Sequence, residues 1–499
     1  MRLSELINGD RAACDPALNA LAAAGALDLD IQGVTSDSRA VRPGFLFAAL
    51  PGSATDGRRF IPEAVARGAV AVLTPRGEDS GVSDGVCRIP DENPRHRLAR
   101  MAAKFYGRQP ETIVAVTGTN GKTSVAEFCR QLWTLVGHAS ASLGTLGLVT
   151  AEGRSGPGLT TPDPVALHAT LRDLADDGVG HLAMEASSHG LDQCRLDGVR
   201  VRAAAFTNLS QDHLDYHRDM TAYLEAKARL FSALLSEDGA AVLNQDSPEF
   251  GPLAGICQAR GISVAGYGTS GGAGLRLIQR TPTPLGQELL LRLDRVEHRL
   301  FLPLVGAFQA MNVLAALGLV SRADGRPATD FLEGFAGLAG VPGRLQLVGR
   351  SGSGAPVYVD YAHTPGALET LLDALRPHVS GRMVCVFGAG GDRDAGKRPL
   401  MGAAVARDAD LGIVTDDNPR SEDPAAIRRA VLGGCPDAQE IGDRAAAIEA
   451  GIAALGPADA LVIAGKGHEP GQIVAGEVLP FDDAEVARRM LTGSGGSVV

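Results

Sequence analysis

Between Ile113 and Ser124 the chain reads IVAVTGTNGKTS, an apolar run that breaks into a Gly-rich turn and ends in Lys-Thr. Such a turn can cradle phosphates. Gly118 and Gly121 let backbone approach an anion, Lys122 can reach terminal phosphates, and the Thr123 hydroxyl is placed to ligate magnesium. Ile113 to Val116 read as a buried strand and Val125 to Leu135 as an amphipathic helix, so the bare N–H groups of the turn stand at a helix N-terminus. The general phosphate loop carries Gly where Val116 stands, so this short T-G-T-N-G-K-T form departs from it.

Other polar loops follow apolar strands. After HLAM comes Glu185, an acid at a strand's carboxyl end, where α/β sheets present ligands. It is the natural second anchor for magnesium, with a helix N-terminal Glu favoured by the dipole as the weaker alternative. The stretch TNLSQDHLDYHRDM, Thr207 to Met220, packs Asp212, His213, Asp215 and His217 into six residues. His213 and His217 could make a zinc pair on a helix, but no H-E-x-x-H pattern or nearby Cys completes one. One His near a second magnesium fits better, and capping or turn chemistry accounts equally for the two aspartates. Downstream, Leu224, Ala228, Phe231 and Leu235 share a helical face with Lys227 at its edge, which reads as a solvated lysine. FGAGGDRDAGKRP, Phe387 to Pro399, is no dinucleotide fingerprint, because its third glycine position is Arg393. TDDNPRSEDP and GKGHEP could together hold a zwitterion, with guanidinium for carboxylate and carboxylates for ammonium.

These loops need sheets to carry them. Strand-like runs alternate with Ala/Leu-rich helical segments over 499 residues, punctuated by 63 Gly and 28 Pro, which predicts α/β architecture with parallel sheets. That length calls for roughly three domains. A first unit ends in the helix of DENPRHRLARMAAKFYGRQP. A second carries strands at His181 to Met184, Ala203 to Thr207 and Ala240 to Leu243, with a polar excursion from Gly266 to Gly286. Gly337 to Gly349 reads as a linker about which the last unit closes on the second. Its strands are Val357 to Asp360, Met383 to Phe387, Leu411 to Thr415 and Ala460 to Ala464, with a helix over Gly366 to Leu375. The tail TGSGGSVV reads as disordered.

A net charge of −11 without Lys/Arg runs argues against nucleic acid. Seven scattered cysteines fit a reducing compartment, each as a small core residue. The start, MRLSELINGD, has no apolar signal region, and no run reaches the ~18 residues of a membrane span. A cytoplasmic protein is expected.

Taken together, T-G-T-N-G-K-T, M-E-A-S-S-H-G-L, T-N-L-S-x-D-H-L-D-Y-H, Y-V-D-Y-A-H-T-P, G-G-D-R-D-x-G-K-R-P, D-N-P-R and G-K-G-H-E closely resemble the Mur ligase family across the whole chain. The resemblance implies three domains: a smaller N-terminal α/β domain (1–108) binding UDP, a central ATPase domain with a mainly parallel sheet (109–340), and a Rossmann-like domain (341–499) binding an amino acid. It implies an ATP- and Mg2+-dependent ligase of peptidoglycan precursor synthesis, working through an acyl phosphate and so serving cell wall biogenesis, cell shape and division. D-N-P-R resembles the members that add diaminopimelate to the UDP-N-acetylmuramoyl dipeptide, whereas lysine-adding relatives carry another turn.

Residue by residue, the resemblance implies that Thr117, Gly118, Thr119, Asn120, Gly121, Lys122, Thr123 and Ser124 hold the ATP phosphates. Asn312, Arg344, Asp360 and His363 would surround adenine, ribose and phosphates. Thr123 and Glu185 would bind one magnesium. His213 would serve a second, placed by a carbamylated Lys227. Ser36 and Ser38 would hold the UDP part, and Thr160, Thr161, Ser187, Gln193 and Arg195 the muramoyl dipeptide. Arg393, Asp417, Asn418, Arg420, Gly465 and Glu469 would form the diaminopimelate pocket. The family's G-x-F-N-x-x-N appears as GAFQAMN, with Gln309 in place of the first Asn. A monomer is expected, with no nucleic acid or membrane partner.

Overall fold

A computed structural model describes residues 1–7, 26–52, 55–77, 85–156 and 159–499. Cys14, one of the cysteines assigned to a core, lies outside them. The chain forms two compact units, residues 1–266 with 315–327, and residues 267–314 with 328–499.

The first unit holds a parallel sheet and the mainly parallel part of a second, which ends in the antiparallel strands Gly147–Thr150 and Gly153–Ser155. Gly33–Thr35, Phe45–Ala48, Ala71–Pro75 and Cys87–Asp91 pair in sequence order, all parallel. Pro94–Tyr106 follows as a helix, with Asn93 capping its start and Gly107 at φ +74° ending it. In the second sheet the phosphate-loop strand Thr112–Thr117 lies between His181–Glu185 and Val201–Phe206. Leu235–Asn244 and Ser140–Gly144 extend it on either side, again parallel. Every residue of Thr112–Thr117 is buried. A strand covered on both faces reads as a continuous apolar run, which is why IVAV showed no alternation.

The second unit carries an antiparallel meander, Leu275–Thr283, Gly286–Leu293 and Val296–Leu302. The polar stretch Gly266 to Gly286, expected as an excursion, is mostly strand, and from Tyr267 on it groups with residues 328–499. A seven-stranded sheet follows, in the order Gln439–Glu440, Leu411–Val414, Met383–Phe387, Ala460–Ala464, Pro356–Asp360, Gln346–Arg350 and Ser497–Val498. Its first five strands are parallel, and Gln346–Arg350 runs antiparallel to both of its neighbours. Along Met383–Phe387, Met383, Cys385 and Phe387 pack against Pro365–Leu375, Lys397–Asp408 and Pro424–Leu432. Val384 and Val386 face Arg444–Ala453 and Asp483–Gly493 on the other side. The period of two thus loads both faces of the sheet.

Two further expectations are corrected here. The tail is ordered: Ser497–Val498 pairs with Gly349–Arg350, and a Cβ at Gly349 would stand 2.3 Å from the Ser497 carbonyl. The segment Gly337 to Gly349 lies wholly inside the second unit, and the strand Gln346–Arg350 begins within it.

Candidate active site

The phosphate loop joins Thr112–Thr117 to the helix Lys122–Leu135. Gly118 (φ +148°) and Gly121 (φ +88°) take conformations that favour glycine, and a Cβ at Gly118 would meet the Thr207 hydroxyl at 1.9 Å. The loop is pinned from the next strand's end. The Thr119 N–H donates to the Asn208 carbonyl at 2.8 Å, the Asn120 N–H to Asn208 Oδ1 at 3.0 Å, and the Thr207 hydroxyl to the Asn120 carbonyl at 2.6 Å. Gly121 caps the helix without a side chain, so no protein side-chain oxygen at the cap satisfies the first N–H groups. Thr123 and Ser124 are buried in the first helical turn, and Lys122 Nζ donates to the carbonyls of Gly118 (3.0 Å) and Thr119 (2.8 Å). A loop without room for a Cβ at Gly118, with uncapped N–H groups at the helix start and a lysine beside them, suits a polyphosphate.

Glu185 ends its strand in register with Val116, beside the loop. It is buried, and its carboxylate accepts from the Thr145 N–H at 2.7 Å and the Thr145 hydroxyl at 3.3 Å. The helix-dipole explanation fails locally, because the next helix is capped by Ser187 and starts only at Ser188. The Thr123 hydroxyl and this carboxylate are hard oxygen donors of the kind magnesium takes.

Lys227 overturns its reading as a solvated lysine. It is 1 % exposed on the helix Met220–Arg229, and its Nζ donates to the same Gly118 carbonyl at 2.8 Å while lying 4.2 Å from the Tyr223 ring centre. Burial, reinforced by the charge of Lys122, pulls its pKa from 10.5 down to about 6. The amine is therefore mostly neutral at neutral pH. The helix ends at Arg229 and passes through a wider turn into the strand at Leu235, so the expected helix over 221–235 is shorter.

His213 and His217 occupy a turn, which corrects the option of a helical zinc pair: the N–H groups of Tyr216 and His217 both donate to the His213 carbonyl. His213 takes φ +54° and its ring meets that of His189 edge-on at 5.0 Å, while His217 is buried against Tyr223. Asp212 Oδ1 accepts the His213 N–H, and Asp215 is exposed. His189 and Tyr216 were not singled out from sequence, although both lie inside the quoted motifs.

One polar network collects the residues assigned to the muramoyl dipeptide. The Thr161 hydroxyl donates to the Glu185 carbonyl at 3.0 Å and accepts from the Ser187 N–H at 3.1 Å. Arg195 donates to the Thr161 carbonyl at 2.7 Å and to Gln193 Oε1 at 2.8 Å, and burial lowers its pKa. Gln193 reaches the Tyr216 hydroxyl at 3.1 Å, and Thr160 meets Thr145 at 3.0 Å. Ser36 is exposed on the turn after Gly33–Thr35, whereas Ser38 is buried and gives its hydroxyl to Glu63 at 3.0 Å.

In the second unit Asn312 donates to Gln309 Oε1 at 3.0 Å, and Gln309 donates to the Arg344 carbonyl at 3.2 Å. Gln309 is buried, so the residue that departs from the family pattern braces two others assigned to the nucleotide. Asp360 is buried, which pushes its pKa up, with Arg344 opposing; its oxygens accept the N–H groups of Leu345 and Ala362. The Arg344 guanidinium stacks 4.9 Å from the Tyr361 ring centre, and His363 Nδ1 lies 2.8 Å from the Tyr361 carbonyl. Tyr361, missed from sequence, then links this group to Glu469 at 3.4 Å.

The amino-acid loops meet around a buried lysine that was also missed. Lys466 Nζ donates to Asn418 Oδ1 at 3.3 Å and to the Gly471 carbonyl, and lies 3.5 Å from Glu469. Asn418 in turn donates to Glu469 at 3.0 Å. Asp417 is buried with Oδ2 free of any hydrogen bond, and a Cβ at Gly465 would stand 2.5 Å from that oxygen. Arg420 takes φ +54°; its N–H donates to the Ile473 carbonyl at 2.9 Å and its Nη1 to the Gly391 carbonyl at 2.8 Å. Among the described residues no carboxylate forms an ion pair with it. Asp392 accepts from the Ser421 N–H and hydroxyl, and Arg398 pairs with Glu422 at 2.8 Å, which ties the G-G-D-R-D loop to the D-N-P-R loop. Arg393 is exposed and, among the described residues, joins neither by a hydrogen bond or ion pair.

Three family models match: "Mur ligase family, catalytic domain" over residues 30–106, "Mur ligase middle domain" over 116–320 and "Mur ligase, glutamate ligase domain" over 343–467. The UDP-N-acetylmuramoyl-L-alanyl-D-glutamate–2,6-diaminopimelate ligase of Caulobacter vibrioides is 55% identical, covering 94% of this chain and 97% of that protein. The protein of the same name from Bradyrhizobium diazoefficiens is 51% identical over 98% and 99%. A solved structure of a ligase of that name superposes with a TM-score of 0.73 at 32% identity, covering 99% of each chain.

Proposed function

The chain belongs to the Mur ligase family, and from that premise we propose that it adds diaminopimelate to the glutamyl carboxylate of UDP-N-acetylmuramoyl-L-alanyl-D-glutamate. It is an ATP-dependent ligase of peptidoglycan precursor synthesis. The observation that carries the choice of amino acid is the Asp417–Arg420 turn, where, among the described residues, a buried carboxylate oxygen without a hydrogen bond and a guanidinium in no ion pair lie three residues apart. A distal ammonium and carboxylate would complete both.

Amide formation from a carboxylate is uphill in water. The substrate carboxylate therefore attacks the γ-phosphorus of ATP, ADP leaves, and the amine then displaces phosphate from the acyl carbon with loss of a proton. No side-chain nucleophile is needed. The loop N–H groups and Lys122 position the phosphates and offset the charge that builds on them. Magnesium held by Thr123 and Glu185 would supply further neutralisation of phosphate oxygens. Lys227, as a neutral amine, can add carbon dioxide and release a proton, giving a carbamate that would serve with His213 at a second such site. Thr161, Ser187, Gln193 and Arg195 orient the dipeptide. Division into domains at 108 and 340 and a monomeric state belong to the same reading, as does a cytoplasmic location, which the six described cysteines, all buried free thiols, support.

Phosphate release that requires both the UDP-linked dipeptide and diaminopimelate, with a product heavier by one diaminopimelate residue, tests the reading. Equal efficiency with lysine would overturn it. Gln309→Ala is expected to raise KM for ATP roughly fivefold with little change in kcat, since it frees Asn312 and the Arg344 carbonyl at a cost of about 1 kcal/mol for a neutral hydrogen bond; steady-state kinetics with varied ATP check this.

A further inference from the structure

His138, His181 and Asp324 form a cluster far from the phosphate loop, on the same elements. His138 follows the helix Lys122–Leu135 whose start holds the loop, and His181 opens the strand that ends in Glu185. Asp324 closes the helix Ala307–Asp324. A helix of 14 residues puts about 20 Å between its two ends. The cluster is therefore separate from the nucleotide site.

Its donor atoms lie within 4.8 Å of one another. His181 Nε2 is 3.4 Å from Asp324 Oδ1 and His138 Nε2 3.7 Å from Asp324 Oδ2. Two donors that each stand about 2.0–2.2 Å from a tetrahedral ion are roughly 3.4 Å apart, so each histidine stands near a coordination edge from one carboxylate oxygen. His138 Nε2 is buried and, among the described residues, makes no hydrogen bond, its nearest charged neighbour being the Asp324 carboxylate. The Trp133 indole N–H donates to both Asp324 oxygens, at 3.2 and 3.1 Å, and so fixes the carboxylate as the partner of a metal ligand commonly does. The two imidazoles stack with ring centroids 4.1 Å apart.

From this geometry we infer that His138, His181 and Asp324 bind a divalent transition-metal ion of the zinc class, with water completing the shell. Two imidazoles and one carboxylate suit zinc or cobalt, and offer too few oxygens for magnesium or calcium. The ion ties the far end of the phosphate-loop helix to the start of the Glu185 strand and to Asp324. Its role is structural.

The test uses untagged full-length protein stripped with EDTA, then titrated with Zn2+ and, separately, with Co2+. Wild type is expected to take up one equivalent with a rise in melting temperature, and cobalt should show the intense visible absorption of a tetrahedral site. His138→Ala should lose both, and its side chain, 34% exposed, can be removed without opening the core. His181→Gln, which retains volume, should weaken uptake at least tenfold. His213→Ala should keep the site. No stoichiometric uptake, uptake unchanged in His138→Ala, or loss only in His213→Ala would overturn the inference, the last by assigning the ion to the His189, His213 and His217 cluster.

Discussion

Lys227→Ala is expected to lower ATP-dependent phosphate release by roughly a thousandfold, the scale seen when one preorganised stabilising group is lost from a phosphoryl or acyl transfer site. The expected magnitude follows from position. Lys227 Nζ reaches the Gly118 carbonyl from a helix 109 residues away, so whatever its nitrogen carries stands against the phosphate loop. A short carboxylic acid added to the variant should restore part of the rate by replacing the carbamate's charge. Full activity of the variant without added acid would defeat the reading.

The same lysine sets two pH dependences. Only the unprotonated amine attacks carbon dioxide, so carbamate occupancy should climb as pH rises through about 6, measurable with 13C-labelled bicarbonate. Between about 6 and 10.5 the unfolded chain holds a proton on Lys227 that the native chain does not. Stability from this group therefore rises with pH across that window, and its cost is full below it. Lys227→Met should flatten that part of a urea-midpoint profile, and an unchanged slope would contradict the burial argument.

Arg420→Ala is expected to cut kcat/KM for diaminopimelate roughly a hundredfold, corresponding to about 3 kcal/mol for two charge-assisted hydrogen bonds. Lysine should behave differently. It lacks the distal carboxylate, so in wild type it leaves the guanidinium unpaired, and the alanine variant removes that penalty. The preference for diaminopimelate over lysine should collapse. The Arg420 backbone is held by Ile473 and Ala475, and a Cβ at Gly390 would stand 2.8 Å from Nη1, so the side chain is aimed by its surroundings. Arg420→Lys should not rescue, because a lysine cannot reproduce the planar fork. A variant that keeps the preference would show that specificity resides elsewhere.

Much of the site was legible because its parts are local. The phosphate loop needs only a strand, two glycines and a helix start within twelve residues, and the structure has all of them in order. Glu185, Asp417 and Arg420 were visible as polar residues directly after apolar strands, the place where parallel sheets present ligands. Lys227, Lys466 and Tyr361 were not visible in that way. Each acts through partners remote in sequence: Gly118 for Lys227, Asn418 for Lys466, Glu469 for Tyr361. A lysine at the edge of a helical face looks solvated until the loop that covers it is known.

The tail shows the same division. TGSGGSVV has the composition of a flexible end, yet Ser497–Val498 has a place because Gly349 leaves room for the chain to lie against it. Local order in the chain decided the phosphate loop, the alternation of strands and helices, and the loops that could carry charge. Tertiary structure alone decided that one carbonyl receives two lysines, that Gln309 braces Asn312 and Arg344, and that two imidazoles and a carboxylate meet at the far end of the loop helix. Backbone conformation depends on near neighbours, whereas burial and pairing depend on groups that only folding brings together.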